Sequence, residues 1–124
     1  MTQAPLIVPP AERSQPLNIA GFAITVLAST AQTGGYEIFF EAGPEGTGPG
    51  PHRHPWDESF YVLRGEVTCG TDEVETVPGP GTLAHVRRGT MHWYKFDKGG
   101  GERLAMTSRG NASQMYADFD REGA

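Results

Sequence analysis

Glycine and proline interrupt this chain so often that little room is left for helices of ordinary length. The 124 residues include 17 glycines and 10 prolines. Both residue types disfavour helix interiors and favour turns. The segments between them are short apolar runs, several rich in β-branched residues or alternating between polar and apolar, which is typical of strands. The pattern therefore predicts an all-β protein.

The apolar runs recur at intervals of about ten residues. The predicted strands are 22–27, 36–42, 58–63, 66–69, 73–77, 82–86, 91–96 and 102–108. Residues 112–121 fit either a short helix or an edge strand. This number of short strands indicates a sandwich or a barrel, and a jelly-roll barrel leaves fewer exposed edges in a small chain.

The length suits one domain, and no linker or internal repeat divides the chain. Residues 1–16 carry four of the ten prolines, so we expect an extended N-terminal arm or edge strand there. Residues 17–124 are predicted to form a single barrel domain.

The charge pattern narrows the choice of partners. The net charge is −5 and the longest basic cluster is Arg87-Arg88, so a nucleic-acid partner is not expected. No apolar run is long enough for a membrane span, and the first ten residues lack the pattern of a signal peptide. The single cysteine, Cys69, rules out an intrachain disulfide framework. These features predict a cytoplasmic protein that acts on a small molecule.

Three of the four histidines occur in patterns that suit a metal site. His52 and His54 share a face of an extended chain, and Glu58 has the same parity. His92 shares its predicted face with Tyr94 and Phe96, where a buried imidazole needs a polar partner or a metal. Spacing alone leaves two readings: a metal site, or ordinary histidines on a wet loop and a strand.

The stretch around His52 resembles the first motif of the cupin superfamily. That motif runs glycine, five residues, His-x-His, three or four residues, glutamate, six residues and glycine. The chain has Gly46, His52, His54, Glu58 and Gly65 at these spacings. The segment from His52 to Gly65 is similar to that of small, single-domain, quercetin-dioxygenase-like members.

The second cupin motif runs glycine, five residues, Pro-x-Gly, two residues, histidine, three residues and asparagine. Gly81, Gly89 and His92 match it, whereas Arg87 replaces the proline and Phe96 the asparagine. Neither departure touches a metal ligand in the family.

The resemblance implies a double-stranded β-helix, the jelly-roll barrel of cupins. It also implies that His52, His54, Glu58 and His92 hold one divalent metal ion per chain. Iron, manganese, nickel, zinc and copper all accept such ligands. A homodimer is a further expectation from the family.

Several residues are candidates for a substrate pocket or for catalysis. Aromatic residues that precede or follow the ligands would line the pocket, and these are Trp56, Phe60, Tyr94 and Phe96. Glu58 and His85 are the candidate catalytic residues. His85 could act in proton transfer, because histidine titrates near neutral pH, or it could be a structural histidine.

The four-ligand set favours an enzyme, because open coordination positions serve catalysis and a pure binding pocket does not need them. We predict a cupin-type dioxygenase or other oxidoreductase. The alternatives are a non-oxidative metal-dependent cyclase, isomerase or lyase, and a ligand-binding cupin without catalysis.

Overall fold

A computed structural model describes residues 4–108 and 110–121 of the chain. The strands within these ranges are β1 (Leu17–Ile19), β2 (Phe22–Ala28), β3 (Tyr36–Gly43), β4 (Glu58–Arg64), β5 (Val67–Gly70), β6 (Glu75–Thr76), β7 (Leu83–Val86), β8 (Trp93–Phe96) and β9 (Gly101–Ser108). Two helices accompany them, α1 (Thr30–Thr33) and α2 (Ala112–Arg121). The all-β prediction is therefore confirmed.

The strands form two antiparallel sheets that face each other. The larger sheet has the order β1-β2-β3-β9-β4-β7, and the smaller has the order β6-β5-β8. Strands β1, β2 and β3 are consecutive in sequence, whereas β3 and β4 both pair with the distant strand β9. This is the jelly-roll topology of a double-stranded β-helix, as the sequence predicted.

Side chains alternate between the barrel interior and the outer surface. Along β4, Glu58, Phe60 and Val62 are buried, while the residues between them are more exposed. Tyr94 and Phe96 are buried on β8 in the same way. Phe39, Phe60 and Phe96 are at most 2% exposed, and burial stabilises each by roughly 1.5–3 kcal/mol.

Some elements differ from the sequence prediction. The predicted strand 73–77 is reduced to Glu75–Thr76, because the turn at Thr71 and the following Pro78 leave little chain to pair. Strand β1 and helix α1 were not predicted. Helix α1 is one turn long, begins after a capping box between Ser29 and Gln32, and ends at Gly34.

Residues 112–121 are a helix and not an edge strand. Tyr116 packs edge-on against Phe39 at 5.2 Å between ring centroids. The buried Glu37 carboxylate accepts hydrogen bonds from the backbone N–H and the hydroxyl of Ser113, in the first turn of α2. A carboxylate at this helix end complements the helix dipole and satisfies a free N–H group.

The predicted arm includes residues 1–3 and the predicted barrel includes residues 109 and 122–124, all of which lie outside the described residues. The described part of the arm is mostly exposed and contains a 3₁₀ turn, Pro10–Glu12. The Arg13 guanidinium lies 4.9 Å from the ring centroid of Phe40 on the outer face of β3. Neither helix in the described residues has the length and apolar character that a membrane span requires.

Candidate metal centre

The loop before β4 runs against β8 and brings two predicted ligands side by side. The backbone N–H of His52 donates to the carbonyl of His92, and the N–H of His92 donates to the carbonyl of His52, both at 2.9 Å. Residue 48 must be glycine here, since a Cβ at that position would lie 2.2 Å from the Tyr94 carbonyl oxygen. Its φ of 147° also disfavours other residues.

Three histidine side chains converge at this point. The ring nitrogens that His52, His54 and His92 could offer to a metal all lie within 4.8 Å of one another. The ring centroids of His52 and His92 are 4.2 Å apart, and those of His54 and His92 are 5.0 Å apart. His54 and His92 are buried and His52 is half-buried. The group could therefore hold a metal ion.

Each of these imidazoles is oriented by a backbone carbonyl. Nδ1 of His52 contacts the Gly50 oxygen at 2.7 Å, and Nδ1 of His92 contacts the Thr90 oxygen at 2.8 Å. Nδ1 of His54 has a longer contact, 3.4 Å, to the Trp56 oxygen. A carbonyl can only accept, so Nδ1 carries the proton and Nε2 keeps its lone pair. Metal-binding histidines in proteins are commonly held in this way.

Glu58 contacts the histidine group through His92. Its Oε1 lies 3.5 Å from Nε2 of His92, and both side chains are at most 5% exposed. Neither atom has a hydrogen-bond partner among the described residues. Buried polar atoms are rarely left unpaired, so an unpaired carboxylate oxygen beside unpaired imidazole nitrogen fits a metal ion. The predicted four-residue set thus lies together, although Glu58 is outside the tight histidine group.

The pKa directions of His52 and His54 agree with neutral metal ligands, whereas that of His92 reflects its contact with Glu58. Burial lowers the pKa of His52 and of His54. Burial also opposes the charge on His92, but the Glu58 carboxylate outweighs it and raises the pKa of His92. Burial would raise the pKa of Glu58, yet His92 and Arg103 outweigh it and lower that pKa. Glu58 is therefore an anion at neutral pH.

Two features brace the loop between His54 and Glu58. The indole of Trp56 stacks on His54, with 4.6 Å between centroids and 14° between planes. The Asp57 carboxylate accepts from the backbone N–H and from the guanidinium of Arg88, both at 2.9 Å. These bonds lower the pKa of Asp57 to about 2. Trp56 therefore lies behind His54, and it does not line the cleft described next.

An apolar cleft of about 160 Å³ lies between β7 and the smaller sheet. Its lining residues are Phe60, Cys69, Gly70, Thr71, Val74, Thr76, Ala84, His85, Val86, His92, Trp93 and Tyr94. Of the predicted pocket residues, Phe60 and Tyr94 line it. Phe96 instead packs against Phe22 and Tyr94 in the core, where it is fully buried.

His85, a predicted catalytic residue, is not brought into the histidine group. It pairs with Ser59 across β7 and β4, and its Nδ1 lies 2.8 Å from the Ser59 hydroxyl. Ser59 lies between Glu58 and Phe60 on β4, so its side chain points to the opposite face. His85 is therefore exposed and lies outside the histidine group, although it contributes to the lining of the cleft.

A buried ion pair deeper in the barrel was missed by the sequence reasoning. Nε of Arg103 donates to Oε1 of Glu41 at 2.5 Å, and both side chains are fully buried. The guanidinium carbon lies 3.5 Å from the Tyr94 ring centroid and 4.0 Å from that of Phe60. A signal was present, because Glu41 and Arg103 both have the inward parity of their predicted strands.

Comparisons with known proteins agree with this geometry. The family model for the cupin domain matches residues 38–104, which is just over half of the chain. A quercetin 2,3-dioxygenase from Bacillus subtilis (strain 168) is 34% identical over 73 residues, or 58% of this chain. The chain spans only 22% of the length of that dioxygenase.

Solved structures share the fold at low sequence identity. An RmlC-like cupin from Shewanella frigidimarina has a TM-score of 0.76 and 18% identity, covering 92% of this chain and 99% of its own. A predicted oxalate decarboxylase from Thermotoga maritima has a TM-score of 0.74 and 19% identity, covering 83% and 98%. The polyketide cyclase RemF from Streptomyces resistomycificus has a TM-score of 0.71 and 17% identity, covering 85% and 79%.

Proposed function

The chain belongs to the cupin domain family, and from that premise we propose that it is a metal-dependent dioxygenase of a small organic molecule. One observation carries the proposal: three neighbouring imidazoles contact backbone carbonyls through Nδ1, and Nε2 of His92 lies unpaired beside a buried, anionic Glu58. The likeness to part of a quercetin 2,3-dioxygenase supports oxidative chemistry over the other activities seen among structural neighbours.

We assign the metal to His52, His54, His92 and Glu58. Three neutral imidazoles and one carboxylate suit a divalent transition metal and leave positions open on a six-coordinate ion. The ion would supply a Lewis acid for an oxygen-bearing substrate and a redox centre for dioxygen. Glu58 would hold negative charge at the centre, and Phe60 and Tyr94 would exclude water from the substrate side.

Metal content and oxygen uptake test the proposal together. Protein loaded separately with Fe²⁺, Mn²⁺, Ni²⁺, Zn²⁺ or Cu²⁺ should bind about one ion per chain by elemental analysis. With at least one redox-active ion it should consume oxygen in the presence of an enolisable diketone. The variant His85→Ala is the matched control for metal content, because it removes a histidine outside the group and should keep about one ion per chain.

Three results would overturn parts of this proposal. A chain that never retains a metal after loading would refute the metal centre itself. Stoichiometric metal with no oxygen uptake for any ion and any diketone, but with substrate loss without oxygen, would favour the non-oxidative cyclase, isomerase or lyase. Metal and ligand binding with no turnover would leave a ligand-binding cupin.

We also propose a homodimer. The outer face of the larger sheet exposes apolar side chains that neighbour one another across strands, because Tyr61 pairs with Leu83. Tyr61 is 44% exposed and Leu83 is 65% exposed. Exposed apolar patches of this kind commonly mark interfaces. Light scattering after size exclusion should give twice the chain mass, and Leu83→Lys should shift it towards the monomer.

A further inference from the structure

We infer that the substrate is an uncharged molecule no larger than a single six-membered ring, bound in the apolar cleft beside His92. The inference rests on the proposed function and names the class of substrate that the site accepts. This size limit distinguishes the chain from enzymes that act on three-ring flavonols. Quercetin, which appears in the name of the dioxygenase that matches part of this chain, is such a flavonol.

The volume of the cleft sets the size limit. At about 160 Å³ it is close to the roughly 150 Å³ of apolar cavities that hold one benzene molecule. Pockets for larger organic ligands enclose about 300–1,000 Å³. A flavonol has two fused rings and a third attached ring, so most of it would remain outside a cleft of this size.

The inner wall cannot retreat to make more room. Phe60 and Tyr94 form part of this wall and are at most 4% exposed. Their ring centroids are 6.4 Å apart, and the guanidinium of Arg103 lies between the rings. Arg103 is itself fixed by Glu41. Deepening the cleft would therefore displace a fully buried ion pair, which is energetically costly.

The other side of the cleft is formed by short, solvent-exposed segments. Val74 lies in the turn between β5 and β6 and is 58% exposed, while β6 itself has only two residues. Any enlargement would therefore occur towards solvent, where added substrate volume gains little burial. The well-formed part of the cleft is the part between β7 and the rings of Phe60 and Tyr94.

The chemistry of the lining sets the charge limit. None of the described residues that line the cleft is Asp, Glu, Lys or Arg. A phosphate or carboxylate in the cleft would therefore lose hydration without gaining a charged partner there. Of the four proposed ligands, His92 lines the cleft, so a substrate oxygen directed at His92 would approach the metal centre. A cyclic enolisable ketone or a simple phenol meets these conditions.

Binding to the full chain tests the inference without relying on turnover. Zinc-loaded protein, which does not support redox chemistry, is titrated at neutral pH with cyclohexane-1,4-dione, which is uncharged there, and with quercetin in parallel, using calorimetry and ligand-observed NMR. The titrations are repeated with metal-free protein. We expect the dione to bind at least about tenfold more tightly than quercetin.

A filling substitution localises the binding. Ala84 lines the cleft and pairs with Phe60 across the adjacent strands β7 and β4. Ala84→Leu should weaken dione binding by about 10–200-fold, because added side-chain volume in an apolar pocket excludes part of the ligand. Leu83→Ala is the matched control, because Leu83 is the exposed neighbour of Ala84 and points outward; it should leave dione binding unchanged. Cys69→Leu fills the same cleft from β5 and serves as a second variant if Ala84→Leu does not fold.

The outcomes separate this inference from the proposed function. Quercetin binding as tight as dione binding, or dione binding that neither filling variant weakens, would overturn the size limit. Absence of dione binding to both the zinc-loaded and the metal-free protein would also overturn it. If the dione binds in the cleft but no metal supports oxygen uptake, the size limit holds and only the dioxygenase proposal fails.

Discussion

Two buried polar groups in the barrel interior differ in the charges that they contain. The histidine group and Glu58 present acceptor atoms without donors, and the Arg103–Glu41 pair places a cation directly on an anion. The first arrangement could hold a cation, whereas the second contains its own, although Oε2 of Glu41 and both Nη atoms of Arg103 also lack hydrogen-bond partners among the described residues. Buried charge therefore does not identify a metal site; the useful sign is a surplus of unpaired lone pairs that point at one another.

The ion pair also differs in its surroundings. Burial opposes the charge on Arg103, but Glu41 outweighs it, and the pKa of Arg103 stays above its usual value. The flat guanidinium also stacks on Tyr94 and Phe60, which stabilises a cation further. The pair thus supports the wall of the cleft, while the histidines present free atoms to a ligand.

The largest effect should come from removing the cation of the buried pair. Arg103→Ala leaves the Glu41 carboxylate buried and unpaired, which should lower the free energy of unfolding by about 3–5 kcal/mol. Chemical denaturation followed by circular dichroism measures it. The double variant Arg103→Met with Glu41→Leu removes both charges and should recover most of the loss. A single-variant cost below about 1 kcal/mol would contradict the structural role.

Removing one histidine of the group should have a large effect on metal binding and a smaller effect on stability. His54→Ala should weaken metal binding by more than about 100-fold, because even partners that only orient a ligand are worth about 10–100-fold. The stability of the metal-free protein should change less than in Arg103→Ala, since none of the ion pairs formed by the described residues includes His54. Competition with a chelator measures the affinity. Equal affinity in His54→Ala and His85→Ala would show that the histidine group does not bind the ion.

The exposed pair Asp57–Arg88 should give the smallest effect. The pKa of Asp57 is lowered from 3.8 to about 2, so the folded state binds this proton less readily than the unfolded state. Its stabilisation is present above about pH 4 and is lost as the pH falls towards about 2. Asp57→Asn should therefore flatten the unfolding free energy across that window. An unchanged slope would mean that solvent screens the pair completely.

Sequence reasoning succeeded where a side chain follows from alternation along one strand. The inward parity of Glu58, Phe60 and Val62 is a local property of β4, and the structure buries all three. The strand pattern likewise led to the jelly-roll. The pairing of Arg103 with Glu41 depends on β3 lying beside β9, and two residues 62 positions apart in sequence give no local sign of such a contact.

Short elements and outward-facing side chains were harder to predict. Helix α2 exists because Tyr116 meets Phe39 and because Ser113 meets Glu37, and both contacts are long-range. His85 contributes to the lining of the cleft, but its imidazole contacts the Ser59 hydroxyl and does not join the histidine group. In each case, tertiary contacts decide between two possibilities that the local sequence leaves open.

The position of the proposed ligands has a mechanical consequence. Glu58 begins β4 in the larger sheet, whereas His92 immediately precedes β8 in the smaller sheet. An ion bound by both residues would link the two sheets, and the link would be lost when the ion dissociates. Loading would then raise resistance to unfolding in proportion to the logarithm of free metal concentration. Separation of the two sheets at this point would release the ion, so the two processes would share a common rate.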